Sequence, residues 1–94
     1  MRLLVTRPEP DAGETAGRLG GLGHAVVIQP MTRIVFSPEP VDWPEPAALV
    51  LTSRNAVRGL ERWPRAKAWR NLPVFAVGAS TAELARRVGF TDVE

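Results

Sequence analysis

The stretch from Ala47 to Leu60, AALVLTSRNAVRGL, constrains this chain more than any other. Ala48-Leu49-Val50-Leu51 is a short uncharged apolar run, which suits a strand buried on both faces of a helix-covered parallel sheet. Ala56, Val57 and Leu60 then fall at helical spacing. The polar residues Thr52, Ser53, Arg54 and Asn55 therefore lie where the carboxyl end of a strand passes into the amino end of a helix. Ser53 fits the N-cap, since its hydroxyl accepts from an amide that the first turn leaves unpaired. Open α/β sheets bind ligands at this edge, and free amides with the positive helix end favour an anion there. A plainer alternative, in which Ser53 only caps and Asn55 only lies on the surface, has equal weight on this stretch alone.

The same alternation runs through the rest of the chain. Arg2 to Thr6 reads as a first strand. Asp11 and Glu14 have the spacing of a capping box, and Ala12, Ala16, Leu19 and Leu22 mark one helix face. Gly20 and Gly21 weaken that helix by about 1 kcal/mol each relative to alanine. Gly23 fits a left-handed terminator, and His24 to Gln29 reads as a second strand. Strand, helix and strand form a βαβ unit of right-handed crossover. Pro30 to Pro46 breaks the pattern. Met31 to Phe36 reads as a short extended segment. SPEPVDWPEP holds four prolines and reads as a linker or surface loop packed down by Trp43.

The helix after Ser53 is expected to run to about Trp63, where Pro64 stops it. Arg65 to Pro73 reads as a connector packed by Leu72. Val74 to Val77 is a further strand, followed by Gly78. Ser80 and Glu83 repeat the capping-box spacing, and Ala82, Leu84, Ala85 and Val88 supply an apolar helix face. Arg86 and Arg87 complement the dipole in its last turn, Gly89 ends it, and Phe90 to Val93 begins another strand. The fold class is α/β, a parallel sheet with flanking helices on both faces. Residues 1–30 form an opening βαβ, 31–46 a connector and linker, and 47–94 the start of a second α/β domain. The opening βαβ buries too little apolar surface to offset its own ordering entropy. The sequence is thus expected to be the front portion of a longer protein.

Composition closes several routes. The chain has no cysteine, one histidine and no tyrosine. Disulfides, thiolate metal sites, histidine clusters and a Ser-His-Asp triad are therefore not expected. The apolar runs are too short to span a bilayer, and MRLLVTR is no signal-peptide core, so a cytoplasmic setting is expected. Net charge is +2, yet Arg54, Arg58, Arg62, Arg65, Lys67 and Arg70 share one window with Glu61 as its only acid. With Trp63 and Trp69 inside it, this window admits a polyanion reading. A solvated helix face weighs more than RNA or another nucleic acid. No Walker loop and no G-x-G-x-x-G after a strand occurs.

Polar residues gather at three strand ends: Thr6-Arg7, Thr52 to Asn55, and Gly78 to Thr81. Such an edge suits a carboxylate or phosphate ligand. Three segments here are similar to those of uroporphyrinogen-III synthases. LLVTRPEPDAGETAGRLGGLGHAVVIQP resembles that family's opening, a V-T-R-P before a helix, then a V-V strand and a proline. ALVLTSRNAVRGL resembles its T-S-x-N-A-V segment. VFAVGASTAELARRVGF resembles its V-G-x-x-T-A segment ending in G-F. The three stand in the family's order.

The resemblance implies two α/β domains joined by a two-stranded connector, with Met31 to Phe36 as the first connector strand. It implies closure of hydroxymethylbilane to uroporphyrinogen III, with inversion of the last pyrrole ring and loss of water. The chemistry passes through an azafulvene and a spiro intermediate, without cofactor or metal. The implied partner is a tetrapyrrole bearing several carboxylates, and the full-length protein is expected to be a monomer. By matching position, Arg7, Ser53, Asn55, Gly78 and Thr81 would line the substrate cleft. Ser53 and Thr81 come first, with Thr81 the candidate to assist departure of the hydroxyl. The alternative is a non-catalytic polyanion-binding module using the basic window. A response-regulator-like domain ranks last, since Thr6-Arg7 and Thr52-Ser53 stand where its acidic residues would be. The chain is less than half the family's length and lacks the family's candidate tyrosine. It is therefore expected to have no synthase activity alone. Hydroxymethylbilane turnover by the purified chain above the spontaneous rate would overturn this expectation.

Overall fold

The computed structural model describes residues 1–39 and 44–94. They divide into two compact units, Met1–Val35 and Phe36–Glu94. Trp43, expected to pack the linker down, lies outside the described residues.

In the first unit, β1 (Arg2–Val5) and β2 (Ala25–Ile28) pair in parallel, with α1 (Asp11–Gly21) between them in the chain. Leu3 registers with Val26, and Leu4 with Val27. Val5 and Ala12 are buried. Asp11 is not the N-cap of α1. Pro10 occupies the N-cap and gives no side-chain hydrogen bond, while Asp11 is already helical. Glu9 takes over, its Oε1 accepting from the Gly13 amide at 2.6 Å. Asp11 instead pairs with Arg7 at 3.6 Å. Both carboxylates thus meet the positive end of the helix. Gly23 ends the turn with φ +92, as a left-handed terminator should.

The second unit runs β3 (Leu49–Leu51), α2 (Arg54–Glu61), a 3-10 helix (Pro64–Trp69), β4 (Pro73–Ala76), α3 (Ala79–Arg87) and β5 (Asp92–Val93). Its strands are parallel in the order β3-β4-β5. Leu51, Val57, Leu60, Ala66, Trp69, Val74, Ala85 and Phe90 form one core. Val57 and Leu60 come from α2 at i, i+3, and alanines at 82 and 85 let α3 approach closely. The expected connector after Pro64 is a 3-10 helix. Ala66 and Trp69 eclipse at its period of three and are both buried. Pro64 opens it, where a fixed φ and a missing N–H cost nothing.

Three expectations are corrected. Helices do not cover both faces of the strands among the described residues. Val50 is 68% exposed, Phe75 47% and Val77 60%, while Leu4 and Val27 are each 60% exposed in the first unit. Val50 and Phe75 are register partners, so the exposed side of the β3-β4 ladder is apolar. β3 is thus buried on one side only. The Ser80–Glu83 capping box is also absent, because Gly78 is the N-cap of α3 and Ser80 lies within the helix. Residues 31–36 form no strand.

The second unit also ties down part of the proline-rich segment. The Phe36 ring lies against Gly59, where an added Cβ would approach Cδ1 to 3.2 Å. The Arg62 guanidinium stands over the same ring at 4.9 Å. Trp63 Nε1 donates to the Ser37 carbonyl at 3.0 Å. The Arg65 amide donates to Glu39 Oε1 at 2.9 Å. Glu45 accepts from Arg65 Nη2 at 2.7 Å and from the Trp69 indole. The guanidinium of Arg65 and then the indole N–H hold the Glu45 carboxyl below its ordinary range.

Two predictions follow from this packing. The folded carboxyl of Glu45 titrates below the unfolded one. Its contribution is therefore full above the ordinary carboxylate pKa of about 4.3 and is lost as pH falls through the lower folded value. Glu45→Gln should flatten that acid limb in denaturation midpoints measured across pH, and an unchanged limb would contradict the assignment. Phe90, 3% exposed in the core, should cost about 3–5 kcal/mol when replaced by alanine, read from urea unfolding.

Candidate functional site

Two polar segments far apart in sequence meet at one sheet edge. The amide of Val77 donates to the carbonyl of Leu51 at 2.9 Å, beyond the last residue of β4. Thr52-Ser53 follows on one side of this bond, and Gly78-Ala79 on the other. Parallel pairing thus puts the starts of α2 and α3 beside each other, at the carboxyl ends of their strands.

The two helix starts differ. Ser53 is extended, with φ −153 and ψ 159, and its hydroxyl accepts from the Ala56 amide at 3.1 Å. The expected N-cap is therefore present. α3 has no side-chain cap, and its first backbone bond runs from the Ala82 amide to the Gly78 carbonyl at 3.2 Å. Its earlier amides have no partner within the helix and favour a negative group. Gly78, Ala79 and Ser80 are exposed there. Gly78 has φ +90 and ψ 145, a region that side chains disfavour. A Cβ would meet nothing within 4 Å. The glycine therefore serves the backbone turn and not a steric constraint.

Asn55 stands in the first turn of α2, half-buried, and its Oδ1 accepts from Arg58 Nη1 at 2.8 Å. Thr81 lies in the first turn of α3 but is only 5% exposed. Ser53, Asn55 and Gly78 consequently present more surface at this edge than Thr81 does. Arg7 belongs to the first unit. It donates from Nη1 to Thr15 Oγ1 at 2.8 Å and pairs with Asp11, its side chain 50% exposed. The structure thus brings Ser53, Asn55, Gly78 and Thr81 to one sheet edge and places Arg7 at the end of β1.

Sequence reasoning missed Arg58, whose i, i+3 spacing from Asn55 was the available signal. It also missed the uncapped start of α3, because Ser80 looked like a cap. The basic window is largely engaged within its own unit. Arg62 covers Phe36, Arg70 covers Phe90 at 4.4 Å, and Arg65 holds Glu45. No group of three or more histidine or acidic side chains that could hold a metal ion occurs among the described residues. No helix among them is long and apolar enough to cross a membrane.

The two helix starts should respond differently to substitution. Ser53→Ala removes a cap and should cost about 1 kcal/mol. Gly78→Ala meets no clash but forces a disfavoured backbone conformation, and should cost about 1–3 kcal/mol. Urea midpoints of the two variants test both. A neutral Gly78→Ala would show that the turn relaxes freely.

The sequence matches the family described as Uroporphyrinogen-III synthase HemD over residues 13–94. No curated protein matches the chain. The family match takes in the β3-β4-β5 sheet with both helix starts, and leaves Arg7 outside. Extending over most of the 94 residues, with the parallel α/β units in place, it shows that the chain belongs to the uroporphyrinogen-III synthase family.

Proposed function

We propose that the edge beyond β3 and β4 binds the carboxylates of a tetrapyrrole. In this reading the protein serves the closure of hydroxymethylbilane to uroporphyrinogen III, a lyase reaction of haem biosynthesis. One observation carries the reading: the Val77–Leu51 bond sets the capped start of α2 beside the uncapped start of α3. The family membership supplies the substrate class.

Several features support it. The substrate's acetate and propionate groups need donors at spaced positions. The amides of Ala79 to Thr81, the Asn55 side chain and the Ser53 hydroxyl offer them along one edge. Fixed donors of this kind hold the chain ends of a linear tetrapyrrole near one another, so positioning supplies a large part of the rate. The burial of Thr81 favours Ser53 as the hydroxyl that meets substrate carboxylates. Thr81 keeps the role proposed for it at the departing hydroxyl, which it would assist by donating a hydrogen bond from a sheltered position, its own proton being retained. The resemblance assigns Arg7, at the end of β1 in the first unit, to the same substrate. The polyanion alternative has less support, because three arginines of its window hold Phe36, Glu45 and Phe90.

Thermal unfolding with and without uroporphyrinogen III, kept reduced, tests this reading. The midpoint should rise with ligand, by the equivalent of about 2.7 kcal/mol at one hundred times the dissociation constant. A cooperative transition unmoved by ligand would overturn it. RNA binding that weakens steeply with salt would favour the polyanion alternative instead.

A further inference from the structure

We infer that Arg58 is a positioning residue that fixes the Asn55 amide with its NH2 group turned outward as a donor for a substrate carboxylate. This rests on the tetrapyrrole reading above and names how one side chain of that edge takes part.

The two ends of an Asn amide differ chemically but not in shape, so its orientation must come from its partners. A guanidinium only donates, and has no acceptor to offer. The Asn55 atom facing Arg58 Nη1 at 2.8 Å is therefore the oxygen, Oδ1. With the oxygen engaged by Arg58, the NH2 is the end left for a ligand. An unrestrained Asn would present either end, and the oxygen end repels a carboxylate. Arg58 thus converts a group of ambiguous polarity into a donor.

Geometry makes the restraint effective. Asn55 and Arg58 lie three residues apart on α2, so one short helix fixes both ends of the bond. Both side chains are half-buried, which limits competition from water. The guanidinium charge also polarises the amide and strengthens its N–H donors. Asn55 belongs to the same first turn that Ser53 caps, at the amino end of α2.

Two variants separate this role from simple packing. Arg58→Met keeps the aliphatic stem and removes the donor, whereas Arg58→Lys keeps a donor. Asn55→Asp keeps an acceptor for Arg58, now charged, but replaces the outward NH2 with oxygen. The first measurement needs no ligand: side-chain NMR relaxation of the Asn55 amide. Motion should increase in Arg58→Met and remain restrained in Arg58→Lys. Equal restraint in Arg58→Met and the parent chain would overturn the inference, whatever the outcome with tetrapyrrole.

The second measurement is uroporphyrinogen III affinity. Arg58→Met should weaken it about five- to tenfold, less than the full worth of a hydrogen bond to a charged group because the Asn55 donor is still present. Arg58→Lys should restore most of that loss. Asn55→Asp should keep or raise the unfolding midpoint while weakening the ligand at least as much as Arg58→Met. Undiminished affinity in Asn55→Asp would also overturn the inference. A parent chain that binds no uroporphyrinogen III would count against the tetrapyrrole reading, and the relaxation result would still decide whether Arg58 orients the amide.

Discussion

Parallel strands cannot be joined by a tight turn, and the rest of the second unit depends on that constraint. To lie beside β3 in the same direction, β4 must be reached by a crossover. The crossover here is α2 and the 3-10 helix, and packing it on the sheet builds the core around Val57, Val74 and Trp69. The next crossover, α3, repeats the operation and adds Ala85 to the same core. One result is geometric. β3 and β4 both deliver their carboxyl ends, and the helix starts that follow, to the same side. Chemistry at that edge comes from topology before any particular side chain is chosen.

Much of this was legible in the sequence where local and tertiary signals agree. The passage from Val50-Leu51 to Ser53 and then Val57 reads as strand, cap and helix, and the structure follows it. The misses have physical causes. A carboxylate three or four residues before an amide can cap a helix from more than one place. Glu9 takes the role that Asp11 was expected to fill. Ser80 loses the cap position because Gly78 alone accepts the turn's backbone angles. The 3-10 helix follows a period of three, set by Trp63, Ala66 and Trp69, which a search for a 3.6 period passes over. A continuous apolar run such as Ala48 to Leu51 also does not say how many of its faces are covered. Val50 is apolar, strand-forming and exposed.

The site was legible as a set of positions and less so as a set of roles. Ser53 acts through the backbone as the sequence implied, by accepting an amide, whereas Gly78 turns the chain, a role the sequence did not signal. Thr81 shares its residue type with a good surface donor, but helix phase points it inward beside Ala82. Asn55 was visible as a polar residue at a helix start. Its polarity was not, because that depends on Arg58 and on which amide atom the guanidinium engages.

Among the described residues, the segment that looked like a free linker is held at Ser37, Glu39 and Glu45 by side-chain contacts. Its contacts join residues 20–26 apart: Trp63 with Ser37, Arg65 with Glu39 and Glu45, and Trp69 with Glu45. Each of them closes a long loop, whereas α2 and the 3-10 helix form from neighbours in sequence. Contacts of that separation carry a larger closure entropy than the helical ones, so the strap is tied to the unit by a few polar contacts and not by a ladder of its own. Its opening leaves the β3-β4 ladder intact and uncovers the indoles of Trp63 and Trp69. The surroundings of both indoles thus depend on the strap, and their fluorescence reports whether it is docked.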